Sequence, residues 1–399
     1  MNGRMDSQKL NIGAYYLAPC ARSEEHVREL RECGVDFVVG MDNDRPALDM
    51  LLRHGVGAVV RGVVPSWWGG NTEKAGRLAQ LNPLERYREG AEAFCDHPAV
   101  WGIDMGDEPS LPDLVHMGKA LKIVENCCPD QFGYLNLFPS YGSHADKSAE
   151  EVRRQLGTDS YSEYLHGYCR LVDTDYICLD FYVFTSRPQR FYRDLHTAAN
   201  TGRDLWCVLQ VNTRDENHPL SEEMLAYQAY TALAFGAKNI IWACYSPGWW
   251  HCNVLDMQGQ KTVMYDRLKK VNRELHALNE EYMKYSWRDT HFVGFDAARG
   301  LPKPPVDKLS AAGITDLHSD GRLIVGEMQA KSGSGGALMI MPEGGGADEV
   351  TVEFECALPQ VSICGGGGKF PLFCNDGRYT VKIRQSQGAL VSANAACAK

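Results

Sequence analysis

No run of 18 apolar residues occurs anywhere in this 399-residue chain, so no segment has the length and apolarity of a membrane-crossing helix. Its first residues, MNGRMDSQKLNIGAYY, lack the charged-then-apolar order of a secretory leader, and no membrane partner is expected. Basic clusters are missing as well. With 41 basic against 51 acidic residues the formal charge is −10, and no nucleic-acid partner is expected. The fourteen cysteines include no CxxC pair, and several (Cys178, Cys207, Cys244) fall inside apolar runs. Scattered core thiols suit a reducing compartment better than a disulfide framework, so a cytoplasmic location is expected. No glycine-rich turn of the phosphate-binding kind follows any apolar run.

What is present is a regular alternation. Short apolar, β-branched runs lie at 11–19, 35–42, 55–62, 99–109, 132–139, 175–184, 204–212 and 238–246. Stretches of helical spacing separate them, such as SEEHVRELRECG with its Ser23 cap and Gly34 stop. Eight β/α units in about 280 residues predict a (β/α)8 TIM barrel over 1–286, with an open doubly wound sheet as the alternative. Beyond about residue 287 the texture changes to short alternating strands (RLIVGEM, GALMIMP, EVTVEFEC, YTVKIRQ) punctuated by glycine runs. Residues 287–399 are therefore expected to form a small antiparallel β-domain of sandwich type.

A barrel of this kind carries its chemistry on the loops at the C-terminal ends of its strands. Standing there in order are Tyr15; Asp42; Arg61 with Trp67 and Trp68; Asp104, Asp107 and Glu108; Asn136; Asp180 and Tyr182; Gln210; then Trp242, Tyr245, Trp249 and Trp250. Carboxylates and amides pair with sugar hydroxyls, and aromatic rings cover the apolar faces of sugars, so a carbohydrate substrate is the expected partner. Histidine is scarce at these ends, and neither a metal nor a cofactor is expected.

Three acids crowd the stretch WGIDMGDEPS. Strict strand alternation puts Gly102, Asp104, Gly106 and Glu108 on one face and Asp107 on the other. Asp104 then reads as a buried brace partnered by Arg61, and Asp107 divides evenly between a turn role and catalysis. Glu108 has the strongest functional claim, because Pro109 and the capping pattern after it already supply the turn. On the sixth run Cys178, Asp180 and Tyr182 share the face toward the barrel mouth. Trp242 is as good a core residue as a sugar platform, whereas the Trp67-Trp68 and Trp249-Trp250 pairs, beside glycines, favour a binding surface.

At these residues the chain resembles the glycoside hydrolases of the large retaining (β/α)8 clan, whose acid/base Glu is followed by Pro after the fourth strand. Asp107-Glu108-Pro109 fills that place. YQAYTALAFGAKNIIWACYSPGWW, LDMQGQKTVMYDRLKKVNRELHAL and GRLIVGEM are similar to the last barrel unit, exit segment and C-terminal domain of β-galactosidase-like members. The clan's nucleophilic Glu at the seventh strand end is replaced here by Gln210. Three accounts follow. Asp180 serves as second carboxylate, with a spacing to Glu108 that tells retention from inversion. Alternatively Asp107 orients a 2-acetamido group that supplies the nucleophile. Otherwise the barrel binds sugar without hydrolysis or cleaves it by elimination. The resemblance implies a glycosidase acting on a small β-linked glycoside or oligosaccharide, with Glu108 as acid/base; the alternative is a carbohydrate-binding pseudoenzyme or lyase. Self-association into a homo-oligomer stays open.

Overall fold

The computed structural model describes residues 5–143, 146–185, 188–344 and 348–394. Eight strands form one sheet: β1 (Asn11–Tyr15), β2 (Phe37–Asp42), β3 (Gly57–Arg61), β4 (Val100–Asp107), β5 (Phe132–Asn136), β6 (Tyr176–Phe181), β7 (Asp204–Gln210) and β8 (Ala237–Ala243). Their spatial order is β5-β4-β3-β2-β1-β8-β7-β6. The two ends meet through a parallel bridge between Leu137 and Leu179, where the Leu137 N–H donates to the Cys178 carbonyl at 2.9 Å. The sheet is thus a closed (β/α)8 barrel, and the open doubly wound alternative is excluded.

Alternate strand residues fill the barrel interior, as the two-residue period of a strand requires. Phe37, Val39, Val59, Phe132, Tyr134, Tyr176, Cys178, Trp206, Val208 and Ile241 form one buried cluster. Trp206 stacks on Tyr176 at 4.1 Å between ring centroids and meets the edge of Phe132 at 5.5 Å. Space for these rings comes from glycines in neighbouring strands. A Cβ on Gly13 would lie 2.5 Å from the Phe37 ring, and one on Gly57 would lie 2.2 Å from Trp101. This aromatic floor closes the barrel from below and leaves the strand ends above it to form a site.

Contacts divide the chain into two compact units. One is built mainly from residues 11–219 and 239–265 and carries the barrel strands. The other contains residues 220–238 and those from 266 onward. In this second unit Leu309–Ala311, Ile314–Ser319, Glu349–Cys356 and Tyr379–Arg384 make a four-stranded sheet. Tyr285–Val293, Arg322–Ala330, Gly336–Glu343, Gln360–Gly365, Gly368–Pro371 and Ala389–Asn394 make a six-stranded one. All assigned pairings in both are antiparallel, and a core including Leu317, Leu323, Val325, Ile340, Val352, Phe354 and Val391 lies between them. Helix Glu222–Ala234 packs in this unit. Gly326 lets it approach, since a Cβ there would fall 2.2 Å from the Ala234 carbonyl oxygen.

The aromatic floor makes a measurable demand. Trp206→Ala should lower stability to denaturant by about 3–5 kcal/mol, the usual loss for a large buried ring. A loss under about 1 kcal/mol would contradict a packed floor.

Candidate functional site at the barrel mouth

A cavity of about 340 Å³ lies at the C-terminal ends of the strands. Its lining is Tyr15, Trp68, Asp107, Glu108, Asn136, Ser143, Asp180, Tyr182, Trp249 and Trp250. A larger cavity, about 490 Å³, sits by the N-terminal ends of β5 and β6 near Glu125, Asp173 and Asp175, at the face of such barrels that serves stability rather than chemistry.

The end of β4 does not keep strict alternation. Asp104 pairs with Tyr134 but Gly106 pairs with Leu135, so Met105 is an extra residue and the strand bulges. Gly106 takes a φ of 133° there, and a Cβ on it would lie 2.9 Å from the Trp67 Cβ. The bulge reverses the parity expected for Asp107. It comes opposite Asn136, lines the cavity, and accepts a hydrogen bond from Asn136 Nδ2 at 2.9 Å. The same nitrogen donates to Asp180 Oδ1 at 2.6 Å. Laid end to end, these contacts keep the two bonded carboxylate oxygens within about 5.5 Å of each other.

Glu108 follows in the left-handed region, with φ 51°, and its N–H donates to the Asn136 carbonyl at 2.9 Å. That backbone turn directs its carboxyl into the cavity, where the residue is only 4% exposed. Trp68 Nε1 donates to Glu108 Oε2 at 3.0 Å. The loop after β3 reaches this position by pairing with the end of β4: Asp107 N–H donates to the Trp67 carbonyl and Gly69 N–H to the Asp107 carbonyl, each at 2.9 Å. A Cβ on Gly69 would fall 1.6 Å from the Glu108 carbonyl oxygen, so glycine is required there.

Burial raises the proton affinity of the three cavity acids and of Asp104 as well. Desolvation pushes Asp180 up to about 7, against hydrogen bonds from Asn136 and Tyr182 that favour its anion. Desolvation, then the nearby charge of Asp180, holds Asp107 well above the usual carboxylate range. Glu108 is raised by desolvation and then by the charges of Asp107 and Asp180. Asp104 is pushed up to about 6 by burial, with partial relief from the Gly106 N–H at 3.0 Å. Its expected ion-pair partner is engaged elsewhere: Arg61 Nε meets Asp42 Oδ1 at 2.8 Å, and Arg22 holds the other Asp42 oxygen at 2.6 Å.

Of the residues expected to touch substrate, Tyr15, Trp68, Asn136, Tyr182, Trp249 and Trp250 come together around the acids. Six others lie outside the cavity lining. Asp42 and Arg61 neutralise each other beside Arg22. Trp67, Trp242 and Tyr245 are buried packing residues. Gln210 is also buried, accepting from the Phe184 N–H at 3.2 Å and donating to the Asn212 carbonyl at 2.9 Å, which ties together the loops after β6 and β7. Two contributors escaped the sequence reading. Ser143 lines the cavity, and the fully buried Gln155 secures it, donating to Ser143 Oγ at 2.9 Å and to the Gly70 carbonyl at 2.7 Å. Their polar surroundings resemble any solvated loop and helix, so nothing local marked them. Among the described residues no group of three or more His, Cys, Asp or Glu side chains is placed to hold a metal ion.

No family model and no curated protein matches the chain. Solved structures do match its fold over nearly its whole length. An α-amylase from Anoxybacillus is 9% identical, with 99% of this chain and 100% of that one covered and a TM-score of 0.55. An α-amylase from Geobacillus thermoleovorans, solved with acarbose, is 9% identical over 98% and 100%, with a TM-score of 0.56. A β-L-arabinopyranosidase of family GH27 from Geobacillus stearothermophilus is 9% identical over 98% of each chain, at 0.51. These neighbours are glycoside hydrolases with TIM-barrel folds, and at such identities the likeness is one of fold.

The raised Asp180 carboxyl has a stability consequence. Its folded value of about 7 exceeds the ordinary 3.8, so folding is favoured while it is protonated and loses that contribution as pH climbs through about 7. Asp180→Asn should therefore melt several degrees above wild type at pH 8 and show little gain at pH 4. Equal effects at both pH values would contradict the assignment.

Proposed function

We propose that the barrel mouth hydrolyses a small β-linked O-glycoside, with Glu108 as general acid and Asp180 as the second carboxylate. The observation that carries this reading is the convergence of Glu108, Asp107 and Asp180 in one aromatic-walled cavity, where carboxyl groups so close titrate apart. Such a split assigns acid and base roles. Asp180 ionises near neutrality, where Asn136 and Tyr182 favour its anion against burial, and takes the role of base. Burial first, and then the charges of Asp107 and Asp180, keep the proton on Glu108.

Glu108 then protonates the glycosidic oxygen as the bond breaks, and charge builds at the anomeric carbon. The Asp180 carboxylate faces that charge and either attacks the anomeric carbon, forming a glycosyl ester that water hydrolyses with Glu108 now acting as base, or deprotonates a water molecule that attacks in its place. Its proton count supports a nucleophile or base that works at neutral pH. Asp107, sharing the Asn136 amide, supplies a second polar group beside the reacting ring and is suited to orient a 2-acetamido substituent where one is present. Tyr15, Trp68, Tyr182, Trp249 and Trp250 offer apolar ring surface to the sugar. Trp249 meets Tyr15 at 6.0 Å and Tyr182 at 6.4 Å, edge to face, so the walls brace one another. The cavity is at the small end of ligand pockets, roughly 300–1,000 Å³, which favours one or two sugar rings over a long chain.

Aryl β-glycosides with and without a 2-acetamido group test the reading. Turnover should fall by about 10²–10⁴-fold in Glu108→Gln for substrates with poor leaving groups, the range for loss of a positioned acid. kcat/KM for wild type should rise as pH approaches about 7 and Asp180 ionises. Hydrolysis restricted to acetamido substrates, surviving in Asp180→Asn, would transfer the second role to Asp107. Tight oligosaccharide binding without turnover would favour a binding protein, and an unsaturated product would favour elimination.

A further inference from the structure

We infer that Trp68 is a positioning residue for the acid: its indole N–H determines which oxygen of Glu108 carries the transferable proton. The inference rests on the proposed role of Glu108 and goes beyond sugar stacking, the role its exposed ring suggests. An indole nitrogen can only donate. Trp68 Nε1 lies 3.0 Å from Glu108 Oε2, so that oxygen is held as an acceptor. A protonated carboxyl has a single O–H, which is thereby placed on Oε1. Among the described residues Oε1 has no hydrogen-bond partner, and Glu108 lines the cavity, leaving its O–H available to a glycosidic oxygen.

The contact is built rather than incidental. Trp68 is 50% exposed, and a ring so open to solvent would ordinarily sample several rotamers. Here the backbone on both sides of it is fixed to Asp107, the residue immediately before Glu108, by the Trp67 carbonyl and the Gly69 N–H. Two glycines make the approach possible. Gly69 admits the Glu108 carbonyl oxygen, and Gly70 admits the indole itself, since a Cβ there would lie 2.4 Å from the ring. The Gly70 carbonyl is gripped in turn by buried Gln155. The strap, the acid and the cavity wall are thus one assembly, in which the donor on Trp68 has a single acceptor.

Substitution by phenylalanine separates this role from stacking, because it keeps an aromatic face and removes the donor. Trp68→Phe should lower kcat/KM by about 10- to 100-fold for alkyl and phenyl glycosides, which need protonation to leave. Dinitrophenyl glycosides, which leave unaided, should lose much less, so that the deficit grows with the pKa of the leaving group. The alkaline limb of the pH profile should move to higher pH, since the lost hydrogen bond had favoured the Glu108 anion. A uniform loss across leaving groups with an unmoved pH profile would overturn the inference and leave Trp68 as a wall. Absence of turnover by wild type on every substrate would overturn the glycosidase reading itself, and this role with it.

Discussion

The amide of Asn136 spans two carboxylates, and the site depends on that bridge. Asp107 and Asp180 come from β4 and β6, the strands on either side of β5, and of two buried carboxyl groups so close one would be forced to stay protonated. One NH2 group donating to both lets Asp180 ionise near neutrality while the pair remains packed. The bulge at Met105 serves the same end, because strict alternation without it would point Asp107 toward the helices and away from Asp180.

The arrangement is held against local cost. Glu108 occupies the left-handed region without being glycine, and four carboxyl groups near the mouth have raised proton affinity. Strain and buried charge of this kind are unfavourable by a few kcal/mol each and persist only where the surroundings over-determine them. The surroundings here are rigid. Tyrosine and tryptophan rings fill the barrel below, and the strap from β3 closes the site at the side by main-chain hydrogen bonds rather than by side-chain contacts alone.

Much of this was legible from the chain. Period-two apolar runs separated by helical spacing were enough for the barrel, and the C-terminal change of texture for the β-domain. Site residues set by strand position alone, such as Asp180 and Asn136, were legible for the same reason. What alternation could not convey was the bulge, since one inserted residue reverses parity and nothing in the letters Met105-Gly106 separates a bulge from a continuous strand. Long-range partners were equally hidden. Arg61 stands near Asp104 in the barrel yet chooses Asp42, which Arg22 also holds, and Gln155 reaches the mouth from a helix that reads as solvated surface. Trp67 and Trp68 differ by one residue and separate completely: the first is buried packing, the second faces the cavity.

The proposed division of roles turns on which acid loses its proton first. An infrared difference titration of carboxyl stretches, with Glu108 and Asp180 assigned by Glu108→Gln and Asp180→Asn, reads that order directly. The Asp180 carboxylate band should grow in near pH 7 while the protonated carbonyl band of Glu108 persists beyond it. Loss of the Glu108 proton before that of Asp180 would contradict the account.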